Sequence, residues 1–499
     1  MMHRSLGDRT RSPWPRSLGA AGLGVLVVLA VPPTVAAATA PARRTTAPPD
    51  VTELAADYVR ARTGNAAERA LTLGMHTAKA IPAFARKYSL PCSACHTAWP
   101  ELNVFGQRFK DQGYQLGNDR DSPIWQNPAY IPFAVRTTPQ WRMERTTDQP
   151  VDDGAGGTVE KTLTVSGFDI SGADLLMMGT LYKDISFGFV PTLEDGEGVG
   201  IEAAFVRFDN LFKSPWANLK VGKFELDNML SEKRGMNLSG EGGPYQSYHF
   251  LAPGDGTDFG LGDNQIGAEW QGHSDNSYTR FTAAVLGSTD GVPGLPAGKS
   301  YDLYGNVSQA FDAGRLGVQR IGLYGYLGRR PTTFLQTPGA GPEDIPGTGS
   351  DYKTFSRIGA VGDFFLGNLE IIPLVQHAQD PVELTSGTKD AEWNSGLVEL
   401  HYYVNPQLVL THRSELVRMS QQVDPAEANN YGDTDAFTFG YRWYPIMLSR
   451  AGLAVVGELS FTKTIGTVLL SGNGVGIEPA DHATAVHGTS VLLALDFDF

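Results

Sequence analysis

Residues 437–443 (FTFGYRW) and 491–499 (VLLALDFDF) decide the fold of this chain. In both stretches every second residue is a large apolar or aromatic side chain, and the positions between them include Arg442, Asp496 and Asp498. Successive side chains of an extended strand point to opposite faces. One face of these strands therefore meets an apolar medium and the other meets water, which is the alternation of a transmembrane β-barrel.

The same alternation recurs from about residue 130 to the C-terminus. Its second face carries charged side chains, among them Arg136, Arg142, Glu399, Arg413 and Glu458. We expect a mainly β chain in which residues 129–499 form a porin-like antiparallel barrel of about 16 strands, preceded by a small α-helical segment. There are 17 candidate strands, and we expect 173–182 and 184–193 to be one bent strand or a misread turn. The alternative is a large soluble β protein, which would hide its apolar face in a core.

Polar segments and aromatic residues give the barrel its expected orientation. Four segments rich in Gly, Asp and Pro are predicted as outer loops: 226–262, 329–352, 420–434 and 465–485. Aromatic residues near strand ends are predicted to form the two girdles at the membrane interfaces, namely Trp141, Phe224, Trp393, Trp443, Tyr444, Phe497 and Phe499. A C-terminal Phe on an alternating strand resembles the assembly signal of bacterial outer-membrane barrels.

The composition excludes several classes of protein. The formal net charge is −14, whereas a nucleic-acid binder needs a basic face. Two cysteines cannot build a disulfide scaffold. Glycine is abundant, at 58 of 499 residues, with no collagen period, which is typical of a chain with many strands and turns.

Residues 1–40 have the plan of a secretory signal peptide. Four arginines precede residue 17, an apolar run of 14 residues covers 18–31, and the small residues at 36–40 fit an A-x-A cleavage site. The alternative is a membrane anchor, but the run is shorter than the ~20 residues that span a bilayer. Residues 41–50 are a Pro- and Thr-rich linker. We expect export to the outer membrane of a Gram-negative bacterium, where the barrel would contact lipid.

Residues 91–96 (PCSACH) contain a CxxCH motif, the attachment site of a c-type haem. Cys92 and Cys95 would form the two thioether bonds, and His96 would be the proximal ligand of the haem iron. A disulfide, a zinc site and a thioredoxin-like pair are the alternatives. A zinc site needs further ligands at set spacing and a thioredoxin-like pair needs a βαβ pattern, and the sequence shows neither. We therefore predict one covalent haem c in a segment covering residues 51–128.

The sixth ligand of the iron is not fixed by the sequence. Upstream of the motif, His76 and its neighbour Met75 lie close in sequence, and we favour His76. Residues of the barrel wall are the alternatives. Alternate positions of a strand face opposite sides of the wall, and this strand parity predicts that Met143 faces lipid, whereas Met178 and His401 face the lumen.

The flanks of the motif carry a family resemblance. Residues 81–88 (IPAFARKY) precede it and residues 99–114 (WPELNVFGQRFKDQGY) follow it. This arrangement resembles the fused outer-membrane monohaem cytochrome–porin family, whose members include bacterial ferrous-iron oxidases. The match in motifs covers residues 81–114, and the rest matches in architecture. The resemblance implies that Cys92, Cys95 and His96 hold haem c and that electrons pass from an extracellular donor to periplasmic carriers such as a cytochrome c.

These observations predict a function in electron transfer. A segment as short as 51–128 has little core of its own, and a barrel of about 16 strands has a wide lumen, so we expect the segment to tuck into the barrel as a plug. The donor is expected to be Fe²⁺, which acidic outer loops would attract, and the protein could then be an iron:cytochrome oxidoreductase. The alternatives are a conduit to another extracellular acceptor or mineral, and a transport porin whose haem segment is only a plug or sensor.

Overall fold

The structure is a computed structural model, and most of the predicted barrel lies within the residues that it describes. It describes residues 83–88, 90, 92–116, 133–152, 158–194, 198–229, 246–250, 259–294, 300–331, 334–335, 345–346, 352–384, 390–419, 433–447, 452–465 and 485–498. The predicted signal peptide, the linker, Met75, His76 and Phe499 lie outside the described residues. The division of the chain at 40, 50 and 128 stays a prediction.

Sixteen antiparallel strands close into one barrel, which confirms the predicted fold class. Each strand pairs with its sequence neighbour among the barrel strands, and the last strand (Ala485–Asp498) pairs with the first (Phe133–Asp152) to close the ring. The barrel strands are β3 (Phe133–Asp152), β4 (Thr158–Tyr182), β5 (Ile185–Glu194), β6 (Gly198–Phe208), β7 (Asn218–Glu225), β8 (Asn264–His273), β9 (Thr279–Gly287), β10 (Tyr301–Asp312), β11 (Val318–Pro331), β14 (Tyr352–Leu366), β15 (Leu369–Asp380), β16 (Ala391–Asn405), β17 (Leu408–Met419), β18 (Thr434–Met447), β19 (Gly452–Ile465) and β20 (Ala485–Asp498).

The remaining α-helices and strands are short. They are α1 (Ala83–Tyr88), α2 (Cys92–Cys95), α3 (Val104–Asp111) and α4 (Gln246–His249), the strand pair β1 (His96–Ala98) and β2 (Glu101–Leu102), and the strand pair β12 (Phe334–Leu335) and β13 (Ile345–Pro346). Within the described ranges, no helix has the length and apolar character needed to cross a bilayer.

The two faces of the barrel wall differ as the alternation predicts. On β18, Phe437, Phe439, Tyr441 and Trp443 are all exposed on the outside, Phe439 by 52%. On β20 the outward Leu493 is 50% exposed, whereas the inward Asp496 is 3% exposed. An apolar outer belt around a polar interior is the architecture of an outer-membrane β-barrel. The structure thus places the large apolar side chains where lipid would cover them.

Two predictions about the wall are wrong. Segments 173–182 and 184–193 are two strands, because 173–182 belongs to β4, which begins at Thr158, and 184–193 corresponds to the separate strand β5. The chain reverses direction between them in a tight turn at 183–184, in which Lys183 has a φ of 45°. Three predicted girdle residues, Phe224, Trp393 and Tyr444, are buried on the inside, because they fall on the lumen parity of their strands.

The two ends of the barrel have connections of different length. At one end the connections run from two residues, as at 367–368, to nine residues, at 209–217. The four predicted loops all lie at the other end, and the longest connection there, 226–263, joins β7 to β8. Outer-membrane barrels have short periplasmic turns and longer extracellular loops. The short-turn end is therefore the periplasmic end.

Part of the long 226–263 connection lies inside the lumen. The ring of Phe259 stacks on Tyr326 of β11 with centroids 3.9 Å apart and lies 5.5 Å from the ring of Phe355. From α4, the hydroxyl of Ser247 donates a hydrogen bond to the carbonyl of Gly396 on β16 at 2.7 Å. Phe259, Tyr326 and Phe355 belong to an apolar cluster in the barrel interior.

Candidate haem site and its contacts with the barrel wall

Asn103 holds the CxxCH turn against the helix that follows it. Its amide nitrogen donates hydrogen bonds to the carbonyls of Ser93 and Ala94, at 3.2 and 3.1 Å, and its backbone N–H donates to the carbonyl of Cys95 at 2.9 Å. Its side-chain oxygen accepts from the backbone N–H of Gly106 at 2.9 Å and so caps α3. One side chain thus satisfies the end of α2 and the start of α3.

Glycine is needed at position 106 because the two helices approach closely. A β-carbon placed there would lie 2.1 Å from the carbonyl oxygen of Cys95 and 2.9 Å from a methyl carbon of Leu102. Both distances are far below van der Waals contact. The sequence Asn103-Val104-Phe105-Gly106 therefore encodes a cap and a close approach that fix the CxxCH turn.

Aromatic rings join the two flanks of the motif. Phe84 of α1 stacks on Tyr114 and meets the edge of Phe109, with ring centroids 5.1 Å apart in both cases. Tyr88 lies edge-on to Phe109 at 5.7 Å. Aromatic pairs in these arrangements contribute about 0.5–1.5 kcal/mol each beyond the burial of area. The flanking residues that carry the family resemblance thus pack on one another around α3.

The ring of His96 is oriented by two backbone carbonyls. Its Nδ1 lies 3.0 Å from the oxygen of Pro100 and 3.2 Å from the oxygen of Glu101, so Nδ1 carries the proton and donates. Burial lowers the pKa of His96 to about 4, although the two hydrogen bonds act in the opposite direction. The ring is therefore neutral at ordinary pH, and its Nε2 offers a lone pair.

This geometry fits a proximal haem ligand. Histidines that bind metal in proteins usually donate their other ring N–H to a carbonyl or carboxylate, which fixes the tautomer and the ring orientation. The Cys95 side chain is half-buried one residue before His96. The backbone of Cys92 is in α2, and its side chain lies outside the described residues. The identity of the bound group stays a prediction.

We name residues 92–116 the CxxCH segment, and an ion cluster joins it to the barrel wall. Arg280 of β9 makes a bidentate contact with Asp111, through Nε at 2.9 Å and Nη2 at 3.0 Å, and its Nη2 also lies 2.6 Å from Asp227. Lys110 Nζ lies 3.3 Å from Asp227, and Arg207 donates to the carbonyl of Lys110 at 2.9 Å. All five side chains are largely or wholly buried.

The two aspartates of this cluster are held in their charged form. Burial alone would raise the pKa of Asp111, but the charge of Arg280 outweighs it, and the pKa lies below the usual range. The pKa of Asp227 is also lowered well below its usual range, because Arg280, Lys110 and Lys220 together outweigh burial. The segment is thus tied to the wall by buried, fully ionised pairs.

Other contacts of the segment reach strands around the ring. The carbonyl of Trp99 accepts from the Tyr444 hydroxyl at 2.5 Å, and its indole lies beneath the guanidinium of Arg442 at 5.3 Å. Gln115 donates to the carbonyl of Lys183, in the turn after β4, at 2.7 Å. These partners lie near the short-turn end. The CxxCH segment therefore sits in the lumen at the periplasmic mouth.

A second buried cluster lies beside the segment. The carboxylates of Glu101 and Glu370 both contact the hydroxyl of Tyr403, which lies 2.7 Å from Glu101 Oε2. His401 Nδ1 lies 3.1 Å from Glu370 Oε2 and 3.5 Å from Glu101 Oε2, and its Nε2 lies 2.7 Å from Glu399 Oε1. Strand parity predicts His401 in the lumen, but no local signal pairs it with Glu101 or Glu370.

These positions bear on the candidates for the sixth ligand. Both ring nitrogens of His401 face carboxylates, which argues against ligation of the haem iron by this residue. Met178 shares the lumen face of β4 with Thr180, whose hydroxyl donates to the carbonyl of Gly113 at 3.4 Å. Met143 has the opposite parity to the buried Gln140 and Thr146 and lies on the outer face of β3. His76 stays a prediction outside the described residues.

Comparison with solved structures finds similar barrels. The anion-selective porin from Comamonas acidovorans is 15% identical, with a TM-score of 0.49 and coverage of 73% of this chain and 99% of that chain. The outer membrane channel DcaP of Acinetobacter baumannii is 13% identical, with a TM-score of 0.44 and coverage of 73% and 97%. Pseudomonas putida OprB is 10% identical, with a TM-score of 0.43 and coverage of 73% and 94%. No protein-family model and no curated protein matches the chain.

Proposed function

We propose that this outer-membrane barrel transfers electrons from an extracellular donor, with Fe²⁺ as the leading candidate, to periplasmic carriers through one haem c bound at Cys92, Cys95 and His96. The observation that carries the proposal is the hydrogen bonding of His96. Its Nδ1 proton is committed to the carbonyls of Pro100 and Glu101, which leaves the Nε2 lone pair for iron. Bound there, haem c would supply a one-electron centre whose potential depends on its ligands and burial.

The residues of this chain would position the group and limit its solvation. Asn103 and Gly106 fix the CxxCH turn against α3. The pairs formed by Arg280 with Asp111 and Asp227 hold the segment in the lumen. Because this position is at the periplasmic mouth, a periplasmic carrier could dock beside it. A donor from outside would reach it down the barrel interior, past a wall that carries many buried carboxylates.

Spectroscopy of the purified chain tests the proposal. The full chain is produced in cells that mature c-type cytochromes, purified in detergent and titrated anaerobically with Fe²⁺. We expect a Soret band, retained after denaturation because the attachment is covalent, and reduction of the haem by Fe²⁺. Cys95→Ala serves as a control that removes one thioether. A wild-type chain without a Soret band would refute the haem, and an oxidised haem that Fe²⁺ leaves unchanged would refute the donor.

A transport porin is the second candidate, and the polar inner wall of the barrel favours it. Arg142 and Glu144, charged and partly exposed on the inner face of β3, would suit the passage of small polar solutes. Conductance in planar bilayers separates the two functions. Large, ohmic single-channel steps from the intact chain would favour transport. A closed barrel that nevertheless carries a reducible haem would favour electron transfer.

A further inference from the structure

The carboxylates of Glu101 and Glu370 are brought together in the barrel interior beside His401. Glu101 belongs to the CxxCH segment and Glu370 to the wall strand β15, and both are almost fully buried. Among the described residues, His401 is the one side chain able to carry a positive charge that forms an ion pair with either of them. Two like charges held this close in a poorly solvated site need compensation by a proton or a cation.

One phenol cannot satisfy both carboxylates. The hydroxyl of Tyr403 is within hydrogen-bonding distance of Oε2 of Glu101 and of Oε2 of Glu370. A hydroxyl has a single proton to donate. One of the two contacts therefore joins two oxygen atoms with no hydrogen between them unless a carboxylate is protonated. A cation bound by all of these oxygens removes the conflict.

The spacing of the donor atoms matches a metal site. Ligand atoms of Glu101, Glu370 and His401 all lie within 4.8 Å of one another, and His401 Nδ1 is 3.1 and 3.5 Å from the two carboxylate oxygens. First-row metals bind such nitrogen and oxygen atoms at about 2.0–2.2 Å. Neighbouring ligands of one ion are then roughly 3.0–3.5 Å apart. Little movement is needed to place an ion among them.

Glu399 completes the arrangement from the far side of the imidazole ring. Its Oε1 lies 2.7 Å from His401 Nε2, so it accepts that N–H and leaves the Nδ1 lone pair directed at Glu101 and Glu370. Arg413 lies 3.8 Å from the other oxygen of Glu399 and supports it. A carboxylate–histidine–metal chain of this kind is the usual support of a metal-binding histidine. The hydroxyl of Thr411, opposite His401 in the strand register, is buried without a hydrogen-bond partner among the described residues.

We propose that Glu101, Glu370 and His401, with Tyr403 beside them, form a binding site for a divalent first-row transition metal of the Fe²⁺ or Mn²⁺ type. One imidazole and two carboxylates suit these borderline and hard ions, and the set contains no thiolate that would favour a softer ion. Glu101 also joins this site to His96, because its backbone carbonyl accepts from His96 Nδ1 at 3.2 Å. If the proposed electron transfer holds, this site would bind the ferrous donor close to His96.

Binding of Mn²⁺ tests the site without any redox step. The full-length protein in its oxidised form is titrated with Mn²⁺, and the six-line electron paramagnetic resonance signal of free Mn²⁺ is followed. We expect one saturable site per chain, from which Zn²⁺ displaces Mn²⁺. Glu370→Gln and Glu101→Gln keep the side-chain shape and remove one ligand charge each. Both should weaken Mn²⁺ binding at least about tenfold, the lower end of what loss of a supporting group costs metal sites.

The matched control is a Glu→Gln change elsewhere on the inner wall. Because Glu415 contacts Arg413, which supports Glu399, the control is instead Glu269→Gln. Glu269 is a buried inner-wall carboxylate paired with Lys220 and lies outside the ligand set and its supporting residues, so the same change of charge should alter Mn²⁺ affinity less than about threefold. Folding of every variant is checked by the shift in electrophoretic mobility on heating, and either ligand variant suffices for the comparison. Equal Mn²⁺ affinity in the wild type and the folded ligand variants, or no binding by the wild type, would overturn the site. A haem that Fe²⁺ fails to reduce, with Mn²⁺ binding intact, would instead overturn only the electron-transfer proposal.

Discussion

Removing the guanidinium of Arg280 should release the CxxCH segment from the barrel wall. In Arg280→Met the side chain keeps an apolar stem but loses the guanidinium and its charge. The carboxylates of Asp111 and Asp227, which Arg280 contacts at 2.6–3.0 Å, are then left facing each other in a buried place. Lys110 still pairs with Asp227, whereas Asp111 loses its main partner.

The free-energy cost of removing Arg280 follows from the burial of its ion pairs with Asp111 and Asp227. Breaking a buried ion pair by removing one partner costs about 3–5 kcal/mol. At 1.36 kcal/mol per factor of ten, this corresponds to a shift of roughly 150- to 5,000-fold in the equilibrium between the docked and released segment. The exposed pair of Arg418 with Asp435 provides the contrast, because exposed ion pairs contribute about 0–1 kcal/mol. Arg418→Met should therefore shift the same equilibrium less than about fivefold.

Limited proteolysis and bilayer conductance report the release. In Arg280→Met we expect rapid cleavage within residues 92–116 and long-lived open-channel steps. The electrophoretic mobility of the barrel should still shift on heating, which shows that the barrel itself remains folded. Arg418→Met should behave like the wild type. Identical cleavage rates for the two variants would refute the claim that these buried pairs hold the segment in the lumen.

Lowering the pH should weaken the contact between Asp111 and Arg280. The pKa of Asp111 in the docked state lies below its usual value of 3.8, because Arg280 outweighs the effect of burial. The pair therefore stabilises docking fully above that usual value, and the stabilisation is lost as the pH falls through the lowered pKa. Wild-type cleavage should consequently be independent of pH from 8 to about 5 and should accelerate only below about 4.

Three further substitutions test the site and the barrel. Gly106→Val would force a β-carbon to within 2.1 Å of the Cys95 carbonyl oxygen, and we expect the ratio of haem to protein absorbance to fall, whereas Gly167→Ala, with no atom within 4 Å, should leave it unchanged. Asn103→Ala removes the cap of α3 and should cost about 0.5–2 kcal/mol, seen as a lower urea midpoint of the haem absorbance; an unaltered midpoint would contradict the role of the cap. Leu323→Arg places a charge on an outer-face position that is 60% exposed and should cost about 2–4 kcal/mol in urea titrations of folding into lipid vesicles; a cost below about 0.5 kcal/mol would mean that lipid does not cover this face.

The sequence by itself determined the alternating faces of the wall. Alternation has a period of two residues and is a purely local property, so it places Phe437 and Leu493 outside and Asp496 inside without reference to any distant residue. The CxxCH motif is equally local. Local patterns mislead where they are ambiguous: segments 173–182 and 184–193 resemble one bent strand although a turn separates β4 from β5, and Trp393 resembles a girdle residue although its parity points inward.

Tertiary structure alone decided which inner side chains meet. Glu101 and Tyr403 are 302 residues apart, and Asp111 and Arg280 are 169 residues apart. Parity assigns a residue to the lumen face, but it does not predict which side chains contact one another inside the barrel. Those contacts depend on closure of the ring and on the depth at which the CxxCH segment lies. The carbonyl partners of His96 likewise depend on the fold of the chain after the motif, since a spacing of two cysteines and a histidine fixes no hydrogen bond.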